Sequence, residues 1–465
     1  MVDHLAANCV WILFAGFLVL FMQAGFALID SGLCRAKNAA YTMSSNFMVF
    51  SLCTFGFLVC GYGLMCGGTS GLPTLNSMFR VHGWGVFGTR GFFLAGQTAD
   101  ASSLVWFVLM LAFAAASAAI PAGVLAERWN LKSFFCYSIL IGAVIYPVYG
   151  CWVWGGGWLS QLGVRSGMGH GAVDYAGASV VHLQGGALGL ALSWLLGPRI
   201  GKFDQAGRPR PILGHSIPLV TLGTSILAFG WFGFNVGSSL AAGDNLAAIV
   251  AVNTLIAAMA ATLAGVVYMW FHFGKPDPSL MCNSMLGGLV AVSASCAFVS
   301  PFGAFVIGAV AGVLVVVSIF LWDYFRIDDP VGAVSIHGVN GAWGMLALGL
   351  FATGAHGQGY NGVAGAVGGL FYGYGIRQLG VQLIAVAACV GWNVLVGGAL
   401  FWALGKIIHG NRVAVEVEIA GLDVPEMGAP GYPEFITTLS PEDVSTSEIR
   451  AASPIAKGFS GSGLG

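Results

Sequence analysis

The chain has 465 residues, of which 57% are hydrophobic and only 8% charged, with 18 Lys and Arg against 19 Asp and Glu. Soluble domains carry roughly 25% charged residues, so there are too few charges here to cover a water-facing globule of this size. Gly reaches 71 residues without a G-X-Y period, which excludes a collagen-like chain and suits closely approaching membrane helices. A formal net charge of −1 argues against a nucleic-acid partner. The ten Cys are scattered without C-x-x-C pairs or metal-ligand spacing, so neither a disulfide framework nor a zinc site is indicated.

A helix needs about 20 apolar residues to cross a ~30 Å hydrocarbon core. In chain order the hydropathy predicts eleven such spans, at 8–30, 41–66, 104–125, 133–154, 176–197, 215–238, 246–271, 280–299, 303–322, 331–353 and 381–408. Only Asp3 and His4 precede the first, with no basic n-region, so a retained span is expected rather than a cleaved signal peptide.

Alternate connections hold Arg35, Lys37, Arg128, Lys132, Arg199, Lys202, Arg208, Arg210, Lys275 and Arg326, joined at the end of the last span and in the tail by Lys406, Arg412, Arg450 and Lys457. The opposite set is Arg80, Arg90, Arg165 and Arg377, a split of fourteen to four that places the first set in the cytoplasm. The amino terminus is then outside and the carboxyl terminus inside, as an odd number of spans requires. Residues 67–103 form a long Gly-rich outer loop, and 198–214 a basic, Pro-containing inner one. The membrane domain is expected over 1–409. A cytoplasmic tail follows over 410–465, polar, ending in a Ser/Gly stretch expected to be disordered, and too short for a catalytic domain.

One self-similarity carries chemistry. DYAGASVVHLQGGALG from Asp174 to Gly189 matches DPVGAVSIHGVNGAWG from Asp329 to Gly344, a separation of 155 residues, and both read D-x2-G-A-x3-H-x3-G-A-x-G. The copies sit at the fifth and tenth spans. Five spans apart means opposite direction through the membrane, so two inverted five-helix repeats plus one extra helix are predicted, with the substrate path between the halves near the midplane. His182 and His337 each lie eight residues after Asp174 or Asp329, about 12 Å along a helix. If the two Asp mark opposite edges of a ~30 Å core, the imidazoles approach each other to roughly 6 Å along the normal.

Each His taken alone fits a buried packing residue, but polar groups at membrane depth at matching repeat positions point to a pathway. Asp174 and Asp329 fit helix N-caps. Burial disfavours the imidazolium, and two neutral imidazoles in contact form a chain of donors and acceptors. Such a chain suits a small neutral hydrogen-bonding molecule or a proton, and it offers no oxygen cage for an alkali cation.

Around these histidines the chain resembles the ammonium transporter family (Amt/Mep/Rh), and its Amt branch in particular. The matching stretches are FALIDSGLCRAKN from Phe26 to Asn38, LAER from Leu125 to Arg128, YPVYGCWVWGGG from Tyr146 to Gly157, GWFGFNVGS from Gly230 to Ser238, and the two His motifs. The resemblance implies an outer recruitment site at Trp154 and Ser238 with Phe113 beside them. It further implies a stacked gate of Phe113 and Phe234, twin pore histidines His182 and His337, and Asp174 as a supporting carboxylate. On that reading the protein is a homotrimer in the cell (inner) membrane that takes up ammonium or methylammonium, needs no cofactor and is not an enzyme. Recruited ammonium would lose a proton, ammonia would pass the histidines, and the proton would follow.

Taken without the resemblance, Trp154 fits an interfacial aromatic belt, and the two Phe fit core packing. Asp30 and Cys151 stand where the family usually has Glu and His. The tail from Gly421 to Pro433 keeps part of a motif that links neighbouring subunits and responds to PII-type signalling proteins, with Met427 and Ala429 in place of His and Glu. One rival is an ammonium sensor on the same fold; the signalling domain that some relatives append is not found within these residues. A second is a b-type haem protein with axial His182 and His337, for which the expected approach of the rings is too tight. An intramembrane hydrolase is weaker still, because Ser238 lies near the outer surface and both His lie deeper.

Overall fold

The computed structural model describes residues 2–435 except 70–71, 97–99 and 244. Arg450, Lys457 and the Ser/Gly end of the tail lie outside the described residues. Ten helices among the described residues are long and apolar enough to cross a membrane. They are Ala6–Leu33, Ala36–Met65, Ala101–Val124, Leu131–Ser166, Ala178–Leu196, Ile217–Ser239, Asn245–Phe273, Pro301–Tyr324, Val334–Phe351 and Arg377–Ile407. Large apolar side chains such as Leu255, Leu263, Phe271, Leu395 and Trp402 point outward and exposed, the arrangement expected where the surrounding solvent is hydrocarbon.

The predicted span at 280–299 is corrected to a shorter helix, Pro278–Val292. Its end has a local cause. Past Val292 the carbonyls of Ser293 and Ala294 accept from the backbone N–H groups of Ala176 and Tyr175 at 3.0 and 3.2 Å. The segment gives up helical geometry to brace the stretch that begins with Asp174. The predicted span at 133–154 runs on beyond a break at Trp154 into the helix Trp158–Ser166. The long loop predicted over 67–103 holds a hairpin of strands Met78–Val81 and Trp84–Gly88.

The two repeat motifs meet back to back. A Cβ on Gly186 would lie 2.2 Å from Gly338 N, and one on Gly341 would lie 2.5 Å from Ala178 O and 2.7 Å from Leu183 N. Gly186 corresponds to Gly341, and Leu183 to Gly338, at the 155-residue offset. Each motif therefore presents the same glycine to the same place in the other, the reciprocity of a two-fold contact. Only a residue without a side chain allows backbones this close.

One face of the molecule carries an ion-pair lattice. Arg199 bonds Asp328 through Nε and Nη2 at 2.8 and 2.9 Å and reaches Glu127 at 3.3 Å. Arg35 pairs with the same Glu127, and Arg128, itself buried, donates to the Asp328 carbonyl at 2.8 Å. Glu127 holds this position with φ +71, in the left-handed region that non-glycine residues enter only when their surroundings demand it. Residues 411–432 pack beneath. Glu418 accepts from Arg412 at 2.9 Å and from Ile200 N at 2.7 Å, Asp423 accepts from Tyr41 N at 2.8 Å, and Tyr432 meets His215 Nε2 at 2.7 Å. This part of the tail is thus bonded to the helix ends on the face that carries the ion-pair lattice.

Candidate functional site: an aromatic and imidazole column

A cavity of about 410 Å³ opens on the face opposite the ion-pair lattice, lined by Trp106, Phe113, Trp154, Ser238, Tyr360 and Asn361 among others. Trp154 is pinned by its indole N–H, which donates to the Asp174 carbonyl at 2.7 Å. Ser238 donates its hydroxyl to the Phe234 carbonyl at 2.8 Å, which leaves the oxygen lone pairs free to accept a hydrogen bond from an occupant of the cavity. An indole face attracts a cation by ~0.5–2 kcal/mol. The lining therefore combines a cation-attracting ring with a hydroxyl acceptor.

Below the cavity the rings follow one another. Phe113 lies 5.6 Å from Trp154 and 4.6 Å from Phe234. The two Phe rings are tilted at 52° to each other, an inclined arrangement that ring quadrupoles favour. Phe234 then stacks on His182 at 5.0 Å, and His182 on His337 at 5.2 Å and 18°. The imidazoles are joined Nδ1 to Nδ1 at 3.2 Å, so one ring donates and the other accepts. Both are buried, and His182 Nε2 has no partner.

Two aromatic residues of this column were missed from sequence. Trp231 stacks on His182 at 5.0 Å, and Phe26 lies 6.0 Å from His337. Both stood inside quoted motifs, and the three-residue spacing from Trp231 to Phe234 was the available signal. Tyr360 and Asn361 come from the loop after the helix Val334–Phe351, where no periodicity marks them.

Local geometry explains how the rings are aimed. Asp174 accepts from Gly177, Ala178, Ser179 and Val180 N–H at 2.7–3.0 Å, and from the Ser179 hydroxyl at 2.8 Å. Asp329 accepts from Val331, Gly332 and Val334 N–H at 3.3, 3.0 and 2.7 Å. Each carboxylate therefore satisfies the free donors of a helix start. Both helices then open as π-helix, Ala178–Leu183 and Val334–Val339, with His182 N bonded to Gly177 O five residues back. The wider turn shifts the register of the His, a feature common at functional sites.

Comparison with known proteins places the chain. Residues 10–432 match the family model of the Ammonium Transporter Family. The chain is 44% identical over 439 residues to the ammonium transporter Amt2 of Archaeoglobus fulgidus, covering 94% of this chain and 90% of that one. Among solved structures it is similar to a sensor Amt protein, with TM-score 0.79, 31% identity and coverage of 92% and 100%. It is also similar to Saccharomyces cerevisiae Mep2, with TM-score 0.77, 29% identity and coverage of 88% of each chain. A multi-pass helical membrane protein with an aromatic column leading to paired imidazoles is the class that fold and site define. The chain belongs to the Ammonium Transporter Family.

Proposed function

We propose that the protein carries ammonium inward across the cell membrane through one pore per subunit of a homotrimer. On this reading there are eleven spans, the short helix Pro278–Val292 included, with the amino terminus outside and the lattice of Arg199, Glu127 and Asp328 on the cytoplasmic side. The reciprocal Gly186 and Gly341 contacts support the inverted repeat. Carrying a bare charge to the bilayer centre costs from ~2.5 to above 10 kcal/mol. The cation therefore binds against Trp154 and Ser238 and loses a proton beyond Phe113 and Phe234, and ammonia passes His182 and His337. The proton follows by exchange between the bonded imidazoles, which makes transport electrogenic. Asp174 orients the outer half of the path and Asp329 the inner half. The bound tail segment at 411–432 is the surface that a PII-type protein would meet.

The observation that carries this reading is the unbroken ring sequence Trp154, Phe113, Phe234, His182, His337 beneath an open cavity. The experiment is an ammonium jump over proteoliposomes on a solid-supported membrane, beside labelled methylammonium uptake. Wild type is expected to give both current and uptake, with His182→Asp lowering current by about tenfold or more. Wild-type vesicles indistinguishable from empty ones sink the proposal. The likeness to a sensor Amt protein favours one second reading, a receptor that binds ammonium without passing it; ammonium binding without flux would select it.

A further inference from the structure

One carboxylate between the imidazole pair and the inner lattice has no place in the path just described. Asp30 follows Phe26 by four residues, and the Phe26 ring lies 6.0 Å from His337. Asp30 therefore stands about 6 Å further along the same helix face, towards the lattice. It is 4% exposed and enters no ion pair among the described residues.

Asn46 Nδ2 donates to Asp30 at 2.9 Å. The other atom of that amide, Oδ1, is buried without a partner. Gly123 presses on the carboxylate: a Cβ there would lie 2.7 and 2.9 Å from its two oxygens. A buried carboxylate with one amide donor and no counter-charge, beside an unfilled amide acceptor, is short of a further donor. A proton, or a cation rich in N–H, supplies one.

We propose that Asp30 is the inner protonation site of the path, an inference that rests on the transport reading above. The proton lost by ammonium beyond the Phe pair reaches an Asp30 oxygen by way of the imidazoles. Ammonia arriving past His337 takes it: an N–H bond forms as the carboxyl O–H bond breaks, ammonium leaves inward, and the carboxylate is anionic again for the next proton. Asn46 Nδ2 holds the carboxylate in place. Asn46 Oδ1 accepts a hydrogen bond from the new cation, and the missing side chain of Gly123 keeps both carboxylate oxygens uncovered on that side.

The test compares currents of full-length wild type, Asp30→Asn, Asp30→Glu and Gly123→Ala in the same proteoliposome assay, with thermal melting in detergent as the fold control. Asp30→Asn is expected to lower the current by about tenfold or more, as loss of an acid–base group does. Asp30→Glu is expected to restore most of it with both melts unchanged, and Gly123→Ala to lower it while the charge remains. A wild-type current in Asp30→Asn, or equal loss in Asp30→Asn and Asp30→Glu, overturns the proposal. If Asp30→Asn fails to fold, a normal current in Gly123→Ala overturns it instead. A wild type without current removes the transport reading and this site with it. A wild-type current that responds to His182→Asp but not to the Asp30 variants removes this site alone.

Discussion

The two halves that meet at the histidines share one sixteen-residue pattern and are anchored by opposite chemistry. At the cavity end the residue before Asp174 is Val173, clamped by an uncharged side chain. Gln382 accepts from Val173 N at 2.9 Å and donates to Val173 O at 2.7 Å. One turn earlier Gln378 accepts from His170 N at 2.9 Å and donates to Gly171 O at 3.1 Å. At the end that carries the ion-pair lattice the equivalent residue is Asp328, clamped by the guanidinium of Arg199. The motif at the cavity end is held by amides and the one at the lattice end by charges. The basic residues of that face are thus part of the mechanical support of their half of the column.

The sharpest way to break the equivalence of the halves is to fill the contact between them. Gly186→Val and Gly341→Val are each expected to abolish folded protein. The new Cβ atoms would sit 2.2 and 2.5 Å from backbone atoms, and overpacking that costs about 1–3 kcal/mol where side chains can give costs more where the backbone must move. Detergent extraction followed by size-exclusion chromatography reads this directly. A monodisperse peak for either variant would show that the halves do not press together there.

Next in size is the difference between the two capping carboxylates. Asp174 receives five hydrogen bonds and Asp329 three. Hydrogen bonds to a charged group contribute about 1.5–3 kcal/mol each in favourable cases. Asp174→Ala is therefore expected to destabilise the fold more than Asp329→Ala, with the lower thermal midpoint, the two differing by about 3 kcal/mol or more. Equal shifts would mean that the number of N–H donors does not set the strength of the cap.

What could be read from sequence follows the same division. The paired D-x2-G-A-x3-H pattern locates both His and both Asp because a repeated polar residue in an apolar run is conspicuous. The basic residues of the lattice were legible as loop charges, although nothing in their spacing showed that Arg199 reaches both Glu127 and Asp328. The amide clamp was invisible: Gln378 and Gln382 are ordinary helix residues until the fold brings the segment 170–173 beside them. The π-helical turns at the histidines also escaped, because apolar periodicity does not distinguish a five-residue step from a four-residue one in a fully buried segment. The early end of Pro278–Val292 is set by pairing with residues 175 and 176, a tertiary contact that hydropathy does not register. Trp231 and Phe26 were hidden for the simplest reason, since an aromatic residue among aliphatic ones reads as packing.

The smallest expected effect separates the ionic clamp from the amide one by pH. Burial alone raises a carboxyl pKa, but Arg128 and Arg199 outweigh it and hold Asp328 well below the usual carboxylate range. Its pKa is therefore lower in the folded than in the unfolded chain, where Asp titrates near ~3.9. A group depressed in this way adds stability that is complete above the unfolded value and is lost as pH falls towards the folded one. The thermal midpoint of wild type is thus expected to lose this contribution only below about pH 4. Asp328→Asn leaves Arg199 still facing Glu127 at 3.3 Å, so its cost is expected to be about 1.5 kcal/mol, with a flatter decline in acid than wild type. Gln382→Leu removes the amide clamp instead and has no proton to gain, so its cost should be the same at every pH. Melting curves of the three proteins across the acid range decide the matter. A Gln382→Leu penalty that fades in acid, or an Asp328→Asn penalty that does not, would show that both ends of the column are held by the same kind of force.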